Sequence, residues 1–192
     1  MLFHKTFKQT EAGNFMKIFT DRQGEALQYL LGVYVRSKPT VRIGMKRKAP
    51  TPQSLQSLER NLKLLHLRPP IRQGKYISVN SRSLMRRLYS LWQDFDAFIC
   101  SDEARKKFLA GYLDFCRTKT THRTTLEYRL NVPDSECRDA LLRSFLELGI
   151  YPAFTRQRII IGTFQNVSRL QKLSLCPAMQ HPNVERYLKS YT

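Results

Sequence analysis

Phe108-Leu109-Ala110-Gly111-Tyr112-Leu113-Asp114-Phe115-Cys116-Arg117 is an apolar run of helical character, with a glycine near its middle and an acid close to its end. Seventy-nine residues upstream, Tyr29-Leu30-Leu31-Gly32-Val33-Tyr34-Val35-Arg36-Ser37-Lys38 repeats the pattern. A mid-helix glycine costs about 1 kcal/mol relative to alanine, so two matched ones need a reason. Close approach supplies one, because helices without Cβ atoms at the crossing can pack nearly backbone to backbone. Gly32 and Gly111 are therefore read as the helix-packing contact of a duplicated fold.

Working outward, each copy is followed by similar signals. After the first helix, starting at Asp21, Pro39 ends helical structure and Thr40–Lys46 alternates with period two, as a half-buried strand does. Thr51-Pro52 pairs a cap with a first-turn proline, and Leu55, Leu58, Leu62 and Leu65 then recur on one face. A hairpin turning at Gln73-Gly74 precedes a helix marked by Leu84, Leu88 and Leu91. In the second half a helix over Asp102–Asp114 leads to a short strand at 116–121 and an alternating strand at 124–131. Pro133-Asp134 opens a helix that Gly149 stops. A strand over Arg158–Phe164, paired near Phe154, and a helix over Val167–Leu173 complete the order.

Leu67-Arg68-Pro69 matches Ile150-Tyr151-Pro152, Arg60 matches Arg143, and Gln73 matches Gln157. The fold class expected is α+β, two tandem αββαββα repeats, the first shortened where its first strand should stand. The divisions are a 1–20 arm, repeats at 21–92 and 102–176, an acidic linker at 93–101 and a 177–192 tail.

The chain has 192 residues, with 33 Lys and Arg against 15 Asp and Glu, a formal net charge of +18. That excess fits a polyanionic partner better than a small metabolite. No apolar run approaches the roughly 20 residues of a membrane span, and no long basic amphipathic helix suggests a membrane surface. The four cysteines show no metal-ligand or disulfide spacing and read as small buried thiols in a reducing compartment.

Residues 108–117 resemble the F-L-A-G-L-I-D-A-D-G motif of the LAGLIDADG homing endonucleases and maturases; residues 29–38 form a more eroded copy, and the resemblance covers roughly residues 20–176. It implies two motif helices packed at a pseudo-two-fold axis over a saddle of antiparallel strands that grips nucleic acid. In active members the last acid of each motif binds divalent metal at the helix feet. Here those positions are Ser37 and Cys116, and of the earlier motif acids only Asp114 remains, opposite Val35. Divalent magnesium wants several hard oxygen ligands, so no cleavage is expected and no metal or other cofactor is assigned. Magnesium would enter only if the chain were an endonuclease. Cys116 reads as a packed thiol rather than a nucleophile, and Asp114 as a salt-bridge partner at the helix end.

Residues 26–93 hold fourteen Lys and Arg against one acid, Glu59, whereas residues 103–179 hold thirteen against seven. That imbalance suits charge-dense, irregular RNA better than symmetric reading of a duplex. The leading phosphate contacts are Arg42 and Lys46, followed by Arg36, Lys38, Arg47, Lys48, Lys75 and Arg117. In the second half Lys119, Arg129 and Arg158 are candidates, with Thr125 and Asn131 placed to read an edge or a sugar. Arg86, Arg87, Lys106 and Lys107 are read first as solvated helix faces. The expected function is a catalytically inactive RNA binder, maturase-like or part of a ribonucleoprotein such as an organellar ribosome. That context would add protein partners and place the chain in an organelle matrix. The alternatives are a DNA-cleaving homing endonuclease and a DNA-binding regulator that does not cut.

Overall fold

The computed structural model describes residues 20–36, 44–48, 51–74, 76–115 and 127–173. The elements are α1 (Asp21–Arg36), β1 (Gly44–Lys48), α2 (Pro52–Leu64), β2 (Ile71–Gln73), β3 (Tyr76–Asn80) and α3 (Arg82–Gln93). After a short α4 (Phe95–Phe98) come α5 (Asp102–Asp114), β4 (Tyr128–Asn131), α6 (Ser135–Glu147), β5 (Ala153–Thr155), β6 (Arg158–Ile161) and α7 (Phe164–Lys172). Each half places a three-stranded antiparallel sheet between helices, in the orders β1-β3-β2 and β4-β6-β5. The same order in both halves bears out the tandem α+β architecture.

α1 and α5 cross at the two glycines. A Cβ on Gly32 would lie 2.6 Å from the Tyr112 backbone nitrogen and still closer to the Phe108 carbonyl oxygen. One on Gly111 would lie 2.8 Å from the Tyr29 carbonyl carbon. The obstacles are backbone atoms, which cannot swing aside, and they are reciprocal. α1 is buried on every side from Ala26 to Val35, as expected of a helix at the centre of a molecule. α5 adds Phe108, Leu109, Tyr112 and Leu113 to the same core.

The helices start where their caps dictate. Thr51, Ser81, Ser101, Asp134 and Thr163 each accept a hydrogen bond from the backbone N–H three residues on. The duplication extends to the ends of α2 and α6. His66 N–H donates to the Lys63 carbonyl and Leu67 N–H to Leu62; Gly149 N–H donates to Leu146 and Ile150 N–H to Phe145. The pivots have positive φ, 55° at His66 and 72° at Gly149. A left-handed histidine is strained where a glycine is not. His66→Gly is expected to stabilise the fold by about 0.5–1 kcal/mol, read from the urea midpoint.

The structure corrects several boundaries. The strand expected at 158–164 ends at Ile161, because the Thr163 hydroxyl caps a helix beginning at Phe164 rather than Val167. β1 runs through Lys48, and residues 40–43 of the expected strand lie outside the described residues. The strand expected at 116–121 also lies outside them. The acidic 93–101 stretch contains α4, which buries Phe95 and Phe98 with the following Ile99. Phe95 sits edge-on between Trp92 and Phe108, with centroids 5.3 and 4.9 Å away, so this segment is anchored to both halves. Cys137 is buried as expected, but Cys100 is exposed in the turn before α5. Among the described residues no helix is long and apolar enough to cross a membrane.

Candidate nucleic-acid interface

One face of each sheet enters the core. Ile77 and Val79 of β3, and Ile159 and Ile161 of β6, are buried. β1 and β4 lie against these central strands in matched register. Lys46 is opposite Ser78 and Lys48 opposite Tyr76; Arg129 is opposite Ile160 and Asn131 opposite Arg158. These rungs alternate with the core-entering ones, so they belong to the outer faces. Lys46 and Arg129 are thus equivalent positions, as are Lys48 and Asn131.

Arg47 does not share that face. Its rung partner is Ile77, one of the core-facing residues, so register separates it from Lys46 and Lys48. The sequence placed it in the binding run because Lys46-Arg47-Lys48 is contiguous, whereas a strand divides such a run between two faces. Arg158 and Asn131 are exposed as expected. Arg129 is half-buried, its guanidinium donating to Glu127 Oε2 from Nε at 3.0 Å and from Nη2 at 2.8 Å. Glu127→Gln would release that guanidinium and is expected to tighten nucleic-acid binding by about two- to fivefold, measured by titration. The sequence missed Tyr76 and Ile71, which stand exposed on the outer face of the first sheet; an apolar residue at an alternating position carries no outward signal by itself.

At the end of α1, Arg36 is half-buried. Its guanidinium carbon lies 5.9 Å from the Tyr112 ring centroid, and its buried Nε has no hydrogen-bond partner among the described residues. Its position in the last turn suits the helix dipole. Lys38, Arg42, Lys75, Arg117, Lys119 and Thr125 lie outside the described residues, as do Ser37 and Cys116.

Asp114 is buried, and its Oδ2 accepts a 2.7 Å hydrogen bond from the Tyr29 hydroxyl across the α1–α5 crossing. A phenol from the facing motif helix thus holds this carboxylate. Removing it with Tyr29→Phe is expected to cost about 1–3 kcal/mol in chemical denaturation, the range for a buried group losing a partner. The described residues at these helix ends do not fit a divalent ion. Asp114 is engaged inside the core, its counterpart Val35 is a hydrocarbon, and the neighbouring Arg36 is cationic. Among the described residues no three His, Cys, Asp or Glu cluster as a metal site.

Two matched motif helices, locked at paired glycines and followed in each half by the same three-stranded sheet, define the architecture. Comparison with solved structures decides its type. The homing endonuclease I-DmoI, in complex with DNA and calcium, superposes with a TM-score of 0.56 and 11% identity, over 86% of this chain and 98% of that one. The fold is LAGLIDADG-like. The N-terminal LAGLIDADG domain of DUF199/WhiA agrees, at a TM-score of 0.56 and 18% identity, covering 82% of this chain and 84% of that one. No protein-family profile and no curated protein matches the sequence. In this LAGLIDADG-like chain the packing glycines persist, whereas the sequence carries serine and cysteine at the terminal motif acids.

Proposed function

We propose that this chain binds structured RNA on the outer faces of its two sheets and does not cut it. The observation carrying the reading is the matched register, which puts Lys46 and Arg129 on equivalent rungs and Arg158 beside Asn131. A LAGLIDADG-like fold whose neighbour I-DmoI was solved with DNA supports nucleic acid as the ligand. Loss of the motif carboxylates, leaving a buried Asp114 held by Tyr29, supports binding without hydrolysis and without a metal cofactor. The charge imbalance favours RNA. The more eroded half is the more cationic, and RNA offers irregular phosphate clusters and unpaired bases where duplex DNA offers a uniform rod.

Within that reading the chain acts as a maturase-like protein or a component of a ribonucleoprotein, such as the ribosome of an organelle. Duplex DNA bound without cleavage is the second reading, favoured by the I-DmoI complex alone. Competition titrations with structured RNA and duplex DNA across salt separate the two. The RNA reading expects tighter RNA binding at every salt concentration and no magnesium-dependent nicking of either probe. Tighter DNA binding throughout would reject it in favour of the second reading.

A further inference from the structure

The cations are treated differently from one helix to the next. On α5 and α6 they are neutralised locally. Arg105 pairs with Asp102 at 3.3 Å, Lys106 with Glu103 at 2.6 Å, and Lys107 with Glu25 of α1 at 2.9 Å. Arg138 pairs with Asp139 at 2.9 Å and Arg143 with Asp96 at 3.3 Å. Lys106 beside Glu103 also holds that carboxyl below the usual carboxylate range.

α3 differs in composition. It contains no acid, and Arg82, Arg86 and Tyr89 stand exposed on it, with Tyr89 at 43%. Their spacing, four residues and then three, makes them one stripe on one helix face. Arg82 lies in the first turn of the helix, where the backbone dipole disfavours a cation; α5 by contrast opens with Asp102 and Glu103. Helix stability therefore does not explain Arg82. The other side of α3 buries Leu84, Leu88 and Trp92 in the core that Ile77 and Val79 also enter. The stripe accordingly points away from that core, on a different surface from the outer face of the sheet.

The geometry points to a second RNA contact on this stripe: Arg82 and Arg86 take the sugar–phosphate backbone, and an unpaired base stacks on Tyr89. The inference rests on the sheets being the first contact. Two guanidiniums flanking an exposed aromatic ring suit a nucleotide, which presents a phosphate and a π-face together. A DNA duplex lying on the sheets is too stiff to turn back onto α3, with a persistence length of about 150 base pairs. A folded RNA sends helices and loops in several directions and reaches both surfaces.

The test uses the full chain, bulk transfer RNA and a short mixed-sequence DNA duplex, with thermal melts confirming that each variant is folded. Arg82→Gln with Arg86→Gln is expected to weaken transfer-RNA binding about tenfold and to flatten the salt slope by about 1.5–2. Tyr89→Ala is expected to lose about tenfold on transfer RNA alone. Duplex affinity should stay within about twofold of the parent for both variants. Parental transfer-RNA affinity and slope in the α3 variants, with Arg129→Gln/Arg158→Gln weakened on both probes, would overturn the second contact and leave the sheets as the interface. Equal losses on RNA and DNA in the α3 variants would overturn the assignment to RNA. Should Arg129→Gln/Arg158→Gln bind both probes like the parent while the α3 variants lose transfer RNA, the sheets would fail as the first contact instead.

Discussion

Gly32→Ala should leave the chain unable to hold its native fold at physiological temperature. The new methyl would meet the Phe108 carbonyl oxygen and the Tyr112 nitrogen, both part of the α5 backbone, so relief requires separating the helices. Overpacking a core commonly costs about 1–3 kcal/mol, and rigid backbone obstacles place this site at or above the upper end. Separation would also break the 2.7 Å hydrogen bond from the Tyr29 hydroxyl to Asp114 across the crossing. Gly111→Ala should behave alike, because its methyl meets Tyr29. Urea denaturation checks both, and a midpoint within error of the parent for either would contradict the crossing. Gly24→Ala is the control: a Cβ there meets nothing within 4 Å, and alanine should gain stability by helix propensity.

The second large effect concerns binding. Lys46→Gln, Arg129→Gln and Arg158→Gln together remove cations from the outer rungs of both sheets without touching a core residue. Structured-RNA affinity near physiological salt is expected to fall roughly hundredfold, at about 1 kcal/mol or more for each charge-assisted contact. The slope of log affinity against log salt should flatten by about two to three. Arg47→Gln, one rung from Lys46 but opposite core-facing Ile77, should change both quantities less than Lys46→Gln alone. An equal loss from the Arg47 substitution would show that total charge, not strand register, governs binding.

Legibility followed the kind of signal available. Gly32 and Gly111 were readable because a helix interior seldom holds glycine without steric cause, and the structure supplies the cause in the facing backbones. Caps were equally readable: Thr51 and Asp134 announce α2 and α6 and do cap them. Phe164 misled because an apolar residue continuing the Arg158–Ile161 run looks like strand, whereas its neighbour Thr163 caps a helix. Phe95 and Phe98 were hidden inside an acidic stretch whose sign change outweighed two aromatics three residues apart.

The site was readable by type of residue and less so by face. Arg158 and Asn131 are exposed as candidates for contact should be, but Arg47 shows that a charge run cannot be assigned as a block once it is a strand. The Tyr29 contact to Asp114 joins residues 85 apart in sequence, and nothing local to either motif announces it. The Glu127 grip on Arg129 is the reverse case: two residues apart on one face, the pair was visible in sequence, yet only the geometry shows the guanidinium engaged.

The most direct test is ultraviolet crosslinking of the endogenous protein, with the attached nucleic acid sequenced and the modified peptides mapped. The expected result is RNA, with adducts on the outer-face strands around Lys46, Tyr76 and Arg158. DNA as the recovered species, or RNA adducts that avoid both sheets, would contradict the account.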